Sequence, residues 1–184
     1  MRHTFTLANG VEIPAVGFGT YKAADNTDEA IISEAIRQGY RHLDTAAFYF
    51  NEEAVGKAVR ESGIPREEIF LTSKVWKDQL GYDSTLQEFE NSCKRLGTDY
   101  LDLYIIHRFD YDTPIEETLE TLDSLVKAGK VRALGASEMY AYQLHNMQIC
   151  AEQHGWTKFT SMQCHYNLLY RENEREMIPV CRQF

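Results

Sequence analysis

Six short apolar runs punctuate the chain, and between them apolar residues recur at helical spacing. The runs cover residues 15–20 (AVGFGT), 40–46 (YRHLDTA), 69–75 (IFLTSKV), 100–107 (YLDLYIIH), 131–137 (VRALGAS) and 160–166 (TSMQCHY). They follow one another at roughly 25 to 30 residues, the size of one strand–helix unit. Residues 27–38 place Ala30, Ile31, Ala35 and Ile36 on one helical face. Asn51 is positioned to cap a second helix in which Val55 and Val59 stand four apart. Ser84 is positioned to cap a third, with Gln87 at capping-box spacing. Residues 114–127 bring Leu119, Leu122 and Val126 together, and Gly129 follows the end. Ahead of all this, Asn9-Gly10 separates two β-prone stretches and predicts a hairpin.

Strands alternating with helices imply a parallel sheet, since parallel neighbours need a crossover. Two closures compete. An open doubly wound sheet predicts G-x-G-x-x-G after the first strand, and GFGTYKA lacks the third glycine. A barrel gathers its site at the C-terminal ends of its strands and is favoured here. Six units are visible before the chain ends at Phe184. A (β/α)8 barrel of the TIM type uses eight units and typically about 250 residues. The expectation is therefore an α/β fold: an incomplete (β/α)8 barrel of about six units behind an N-terminal hairpin. Its first and sixth strands would be unpaired edges, open to self-association by pairing with a second chain.

Composition narrows the partners. The 184 residues carry a net charge of -9, and no basic run appears. A nucleic-acid surface would need clustered Lys and Arg, so that class is excluded. No stretch approaches the roughly 20 apolar residues of a membrane span. The opening MRHTFTLANG lacks the apolar core of a signal peptide, which points to a cytoplasmic protein. Cys93, Cys150, Cys164 and Cys181 form no close pair, so neither zinc nor a disulfide framework is expected; they read as buried or partly buried thiols.

Three apolar strands end in residues that are costly to bury: Asp44, Lys74 and His107. Tyr49 follows the second strand within one short loop. Singly, each has a plain reading: an ion pair, a satisfied core histidine, a surface tyrosine. Together on one barrel rim they are four separate breaks in the strand pattern, and the functional reading prevails. The set suits carbonyl reduction. A ketone accepting hydride needs a proton in the same event, and tyrosine can donate it. Lys74 would lower the tyrosine pKa, Asp44 would hold Lys74 charged, and His107 would fix the carbonyl oxygen. The hydride must come from a cofactor.

Six segments carry a family resemblance: GFGTYKA, HLDTAAFYFNEEAVGKAV, LTSKVW, LGTDYLDLYIIH, GKVRALGAS and MQCHYNLLYR. In this order they resemble the aldo-keto reductase superfamily across essentially the whole chain. The first half is similar to the diketogluconate reductase branch. From HRFDYDTPIEETLE onward the chain is similar to a second bacterial oxidoreductase branch. The resemblance implies that residues 1–184 are one partial barrel domain that uses NADPH. It implies a catalytic set of Asp44, Tyr49, Lys74 and His107. Cofactor contacts fall on Thr20, Tyr21, Asp44, Ser137 and Gln163. Substrate positions fall on Tyr21, Phe48, Trp76 and His107.

Departures from the family pattern stand at Glu138, where Asn is usual, and at Phe50, where Gly is common. Arg108-Phe109-Asp110 stands where many relatives carry Trp-Pro. The family's seventh and eighth units, which grip the cofactor's phosphates, have no counterpart in the sequence. The expected function is NADPH-dependent reduction of a small-molecule aldehyde or ketone. The alternative is a truncated, non-catalytic homologue with weak or no cofactor binding.

Overall fold

The computed structural model describes residues 3–23 and 29–184. Strands β1 (Thr4–Thr6) and β2 (Glu12–Pro14) pair antiparallel. Gly10 turns between them at φ 85°, the left-handed conformation that Asn-Gly turns favour. Six further strands follow: β3 (Phe18–Gly19), β4 (His42–Asp44), β5 (Phe70–Val75), β6 (Leu101–Ile106), β7 (Val131–Ser137) and β8 (Ser161–Gln163). Each lies within one of the six apolar runs. All neighbours pair parallel and in chain order. Chain order is the winding of a barrel; a doubly wound sheet reverses at a switch point.

The sheet curls. Four strand spacings separate β4 from β8, roughly 19 Å in a flat sheet. Yet Gln163 Nε2 on β8 donates to Asp44 Oδ2 on β4 at 2.9 Å. The sheet is therefore an incomplete (β/α)8 barrel, with β3 and β8 as its edges.

Curling divides the strand residues by parity. Leu43, Leu71, Val75, Tyr104, Ile106, Leu134 and Ala136 face outward into one core shared with the helices. Phe70, Leu103, Ile105 and Ala133 face inward, and Leu7, Val11 and Ile13 of the hairpin plug them from below. The inward series continues to Lys74 on β5 and His107 just beyond β6, which is how polar groups interrupt apolar strands without disturbing the outer core. Gly135 lies on the inner face because a Cβ there would meet Ser161 Oγ at 2.7 Å and Ile105 Cγ1 at 2.9 Å.

The helices are α1 (Ala30–Arg37), α2 (Glu52–Glu61), α3 (Tyr82–Leu96), α4 (Ile115–Lys127), α5 (Ala141–His154) and α6 (Met177–Gln183). Three expectations need correction. In α1 the buried stripe is Ile32, Ala35 and Ile36, while Ile31 is 45% exposed. The expected start of that helix at Thr27 lies outside the described residues. Asn51 occupies the N-cap position of α2 but makes no capping bond with its side chain. Glu52 and Glu53 already place negative charge in that first turn. Ser84 lies inside α3, whose N-cap is Gly81; Glu117 of α4 accepts the Tyr82 backbone N–H at 2.8 Å in place of a local cap. In α4 the expected residues hold, with Leu119 and Leu122 buried and Val126 packed against the core. Among the described residues no helix is long and apolar enough to cross a membrane. Cys93 and Cys150 are buried and Cys164 is partly so, but Cys181 is exposed, against expectation.

Candidate active site

The inner face of the sheet ends in a polar layer at the C-terminal mouth. Lys74 is fully buried, and its Nζ spends three bonds there. It donates to Asp44 Oδ1 at 2.5 Å, to the Thr45 carbonyl at 2.8 Å and to the Tyr49 hydroxyl at 3.2 Å. An ammonium has three protons, so this one is fully committed. Tyr49 sits in a 3-10 turn (Ala47–Tyr49) between β4 and α2. Because its oxygen accepts from Lys74, its own proton is free to point elsewhere. His107 follows β6, and its ring stands edge-on to Tyr49 with centroids 5.4 Å apart. The structure thus brings Asp44, Tyr49, Lys74 and His107 together.

Burial governs the electrostatics. Lys74 is held below the ordinary lysine value by burial, against the opposing pull of Asp44. The Tyr49 phenol is pushed up to about 12, first by burial and then by the Asp44 carboxylate. The net direction is therefore upward, although the Lys74 ammonium by itself favours the phenolate. Asp44 offsets the ammonium charge at close range, and burial decides the remainder. His107 is pushed down to about 4 by burial, with Lys74 and Arg108 adding to the effect, so its ring is neutral at pH 7. Its Nδ1 is buried and has no hydrogen-bond partner among the described residues.

Aromatic side chains wall the mouth. Phe48 stacks on Trp76 with centroids 3.9 Å apart, and Trp76 stands edge-on to His107 at 5.2 Å. Tyr21 lies 4.8 Å from Tyr49 on the other side. A cleft of about 780 Å³ opens alongside, between Arg108, Phe109, Tyr111, Met139 and Tyr170. None of Asp44, Tyr49, Lys74 and His107 lines that cleft.

The residues expected to hold a cofactor divide. Ser137 and Gln163 are register partners at the ends of β7 and β8, facing the same mouth. Gln163 already bonds Asp44 and so adjoins the buried ion pair. A serine hydroxyl beside a glutamine amide offers donors and acceptors to a carboxamide such as that of nicotinamide, and so fits one. Tyr21 is exposed at the rim. Thr20 is not at the open mouth: it is fully buried, and its hydroxyl donates to the Asp44 carbonyl at 3.1 Å.

Sequence reading missed Thr45 and Asn51 as parts of this site. Both are fully buried, and Thr45 Oγ1 donates to Asn51 Oδ1 at 2.8 Å. The available signal was an N-cap asparagine followed by two glutamates, which make a side-chain cap dispensable.

The family profile described as "Aldo/keto reductase family" matches residues 15–184. The glyoxal reductase of Bacillus subtilis is 47% identical over 150 residues, covering 80% of this chain and 52% of that protein. The chain thus spans about half the length of this curated relative. Among solved structures, one assigned as 2,5-diketo-D-gluconic acid reductase B superposes with a TM-score of 0.87 at 32% identity, over 100% of this chain and 63% of that one. The Bombyx mori aldo-keto reductase solved with NADP gives a TM-score of 0.86 at 29% identity, over 99% and 63%. Fold and sequence agree across the matched length: the chain belongs to the aldo/keto reductase family.

Proposed function

We propose that the chain carries the proton-transfer half of an NADPH-dependent carbonyl reduction, with Tyr49 as the acid. The observation that carries this reading is the bonded series Asp44–Lys74–Tyr49, at 2.5 and 3.2 Å. Among the described residues the Tyr49 hydroxyl donates to no partner, and it lies beside the aromatic rings of Tyr21 and His107. A phenol with its pKa pushed up to about 12 stays protonated at neutral pH. An alkoxide is a stronger base still, so transfer to a nascent alkoxide is downhill. The phenolate that remains faces the Lys74 ammonium and is stabilised there. Neutral His107 donates a hydrogen bond and not a proton, which suits it to hold a carbonyl oxygen in place.

NADPH, when bound, supplies the hydride. Ser137 and Gln163 would hold its carboxamide end, and Phe48, Trp76 and Tyr21 would flank the carbonyl compound. The Bacillus relative's name supports small aldehydes of the glyoxal type as substrates, and the Bombyx structure supports NADP as the cofactor. A cytoplasmic setting belongs to the same reading and is supported by four unpaired cysteines.

The test follows NADPH oxidation with glyoxal in the wild type and in Tyr49→Phe. Loss of the acid should lower kcat by about 10²- to 10⁴-fold, with NADPH fluorescence titration and circular dichroism unchanged. Undiminished turnover in Tyr49→Phe would remove Tyr49 from the mechanism.

A further inference from the structure

We infer that Asn51 is a positioning residue, whose buried amide ties the segment after β3 to both ends of the β4–α2 connection and so holds Tyr49 and Lys74 in register. This rests on the proton-transfer reading above. Asn51 Nδ2 donates to the Thr20 carbonyl, beyond β3, at 2.9 Å. Its Oδ1 accepts from Thr45 Oγ1, beyond β4, at 2.8 Å. Its own backbone starts α2, two residues after Tyr49, and its carbonyl accepts the Val55 N–H at 3.0 Å. Thr20, Thr45 and Asn51 are all fully buried.

Each tie leads to an atom of the polar layer. The Thr45 carbonyl accepts from Lys74 Nζ at 2.8 Å. The Thr20 N–H and hydroxyl both donate to the Asp44 carbonyl, at 2.9 and 3.1 Å. Tyr49 is held through the short stretch from the 3-10 turn to Asn51. That stretch needs holding from below, because Phe50 within it adopts φ 55° and is 70% exposed. A buried amide with both ends satisfied is a rigid support, and a half-satisfied one is costly. A capping role does not account for the residue, since its side chain caps nothing.

The experiment uses the full chain labelled with 3-fluorotyrosine. The Tyr49 ¹⁹F resonance is assigned by its loss in Tyr49→Phe. Asn51→Ala removes both ties, Asn51→Asp keeps only the acceptor for Thr45, and Thr45→Val removes the other end. In each folded variant the Tyr49 resonance should shift or broaden while the remaining tyrosine resonances stay in place. In Asn51→Ala, kcat for glyoxal should fall about 10²-fold, the usual consequence of a misplacement of about 1 Å, with KM changing far less. A residue that only stabilised the fold would lower the unfolding midpoint and leave both readouts alone in the folded protein. If Asn51→Ala does not fold, Asn51→Asp and Thr45→Val carry the same readouts. An unchanged Tyr49 resonance in the folded variants overturns the inference. If the wild type reduces no carbonyl compound, the reading of the reaction fails, and the resonance still decides the positioning role.

Discussion

At the scale of single residues, two of the departures from the family pattern, Phe50 and Glu138, fall where the backbone itself favours other residues. Phe50 and Glu138 both hold positive φ, at 55° and 47°. Most side chains resist that region at a cost of about 1–2 kcal/mol, whereas Gly enters it freely and Asn does so more readily than other residues because its short amide can hydrogen-bond locally. The sequence shows Phe50 and Glu138 only as unusual letters, because φ is not written in a single side chain. Glu138 is the cleaner test, since it is exposed and directly follows Ser137. Glu138→Asn should raise stability by about 1 kcal/mol, read as a higher urea midpoint at unchanged slope. Glu138→Ala removes the same charge without tolerance for positive φ and should give no such gain. Equal effects from the two would show that charge, and not backbone conformation, governs the position.

Among elements, the approach of α2 to α3 sets how firmly the mouth is supported. Gly56 lies in α2, where an added Cβ would stand 2.6 Å from the Leu96 carbonyl carbon and 2.7 Å from its Cα. Backbone cannot yield as a flexible side chain can. Helix propensity alone says Gly56→Ala should stabilise by about 1 kcal/mol; overpacking says it should destabilise by about 1–3 kcal/mol. The contact is with backbone, so destabilisation should win, and a thermal melt reads the sign directly. A higher melting temperature would mean that the two helices separate at little cost. This scale also shows where sequence reading stopped. The six strands were legible because apolar runs between helical patterns have few other interpretations. The cap at Ser84 was not, because a capping-box spacing cannot reveal that Glu117 reaches over from the neighbouring helix. Asn51 was misread for a related reason: its partners are Thr20, 31 residues away beyond β3, and Thr45, 6 residues away at the far end of its own connection. The four polar residues at the strand ends were legible because each breaks a local pattern, whereas Asn51 and Thr45 break none.

For the whole molecule, acid should expose what the buried mouth costs. His107 is pushed down to about 4 and His42 is also held below its ordinary value, both chiefly by burial. Their folded forms resist protonation while the unfolded chain takes up protons near pH 6.5. The unfolded state therefore binds more protons as pH falls, and stability declines from about 6.5 toward 4. Above that window both rings are neutral in either state and contribute no slope. The chain's overall charge acts in the opposite direction. Its net charge of -9 shrinks as pH approaches the pI of about 5.1, which relieves self-repulsion. Carboxylates held low by partners, such as Asp123 and Glu34, lose their stabilising contribution only as they protonate at still lower pH. A fall in the urea midpoint between pH 7 and pH 5 therefore has its source in the histidines. His107→Gln, which cannot titrate, should flatten that fall in part and leave the remainder to His42. A pH dependence identical in the wild type and His107→Gln would mean that His107 gains its proton without penalty. Its ring would then be charged at mildly acid pH, and its assignment as a neutral hydrogen-bond donor to the carbonyl would fail with it.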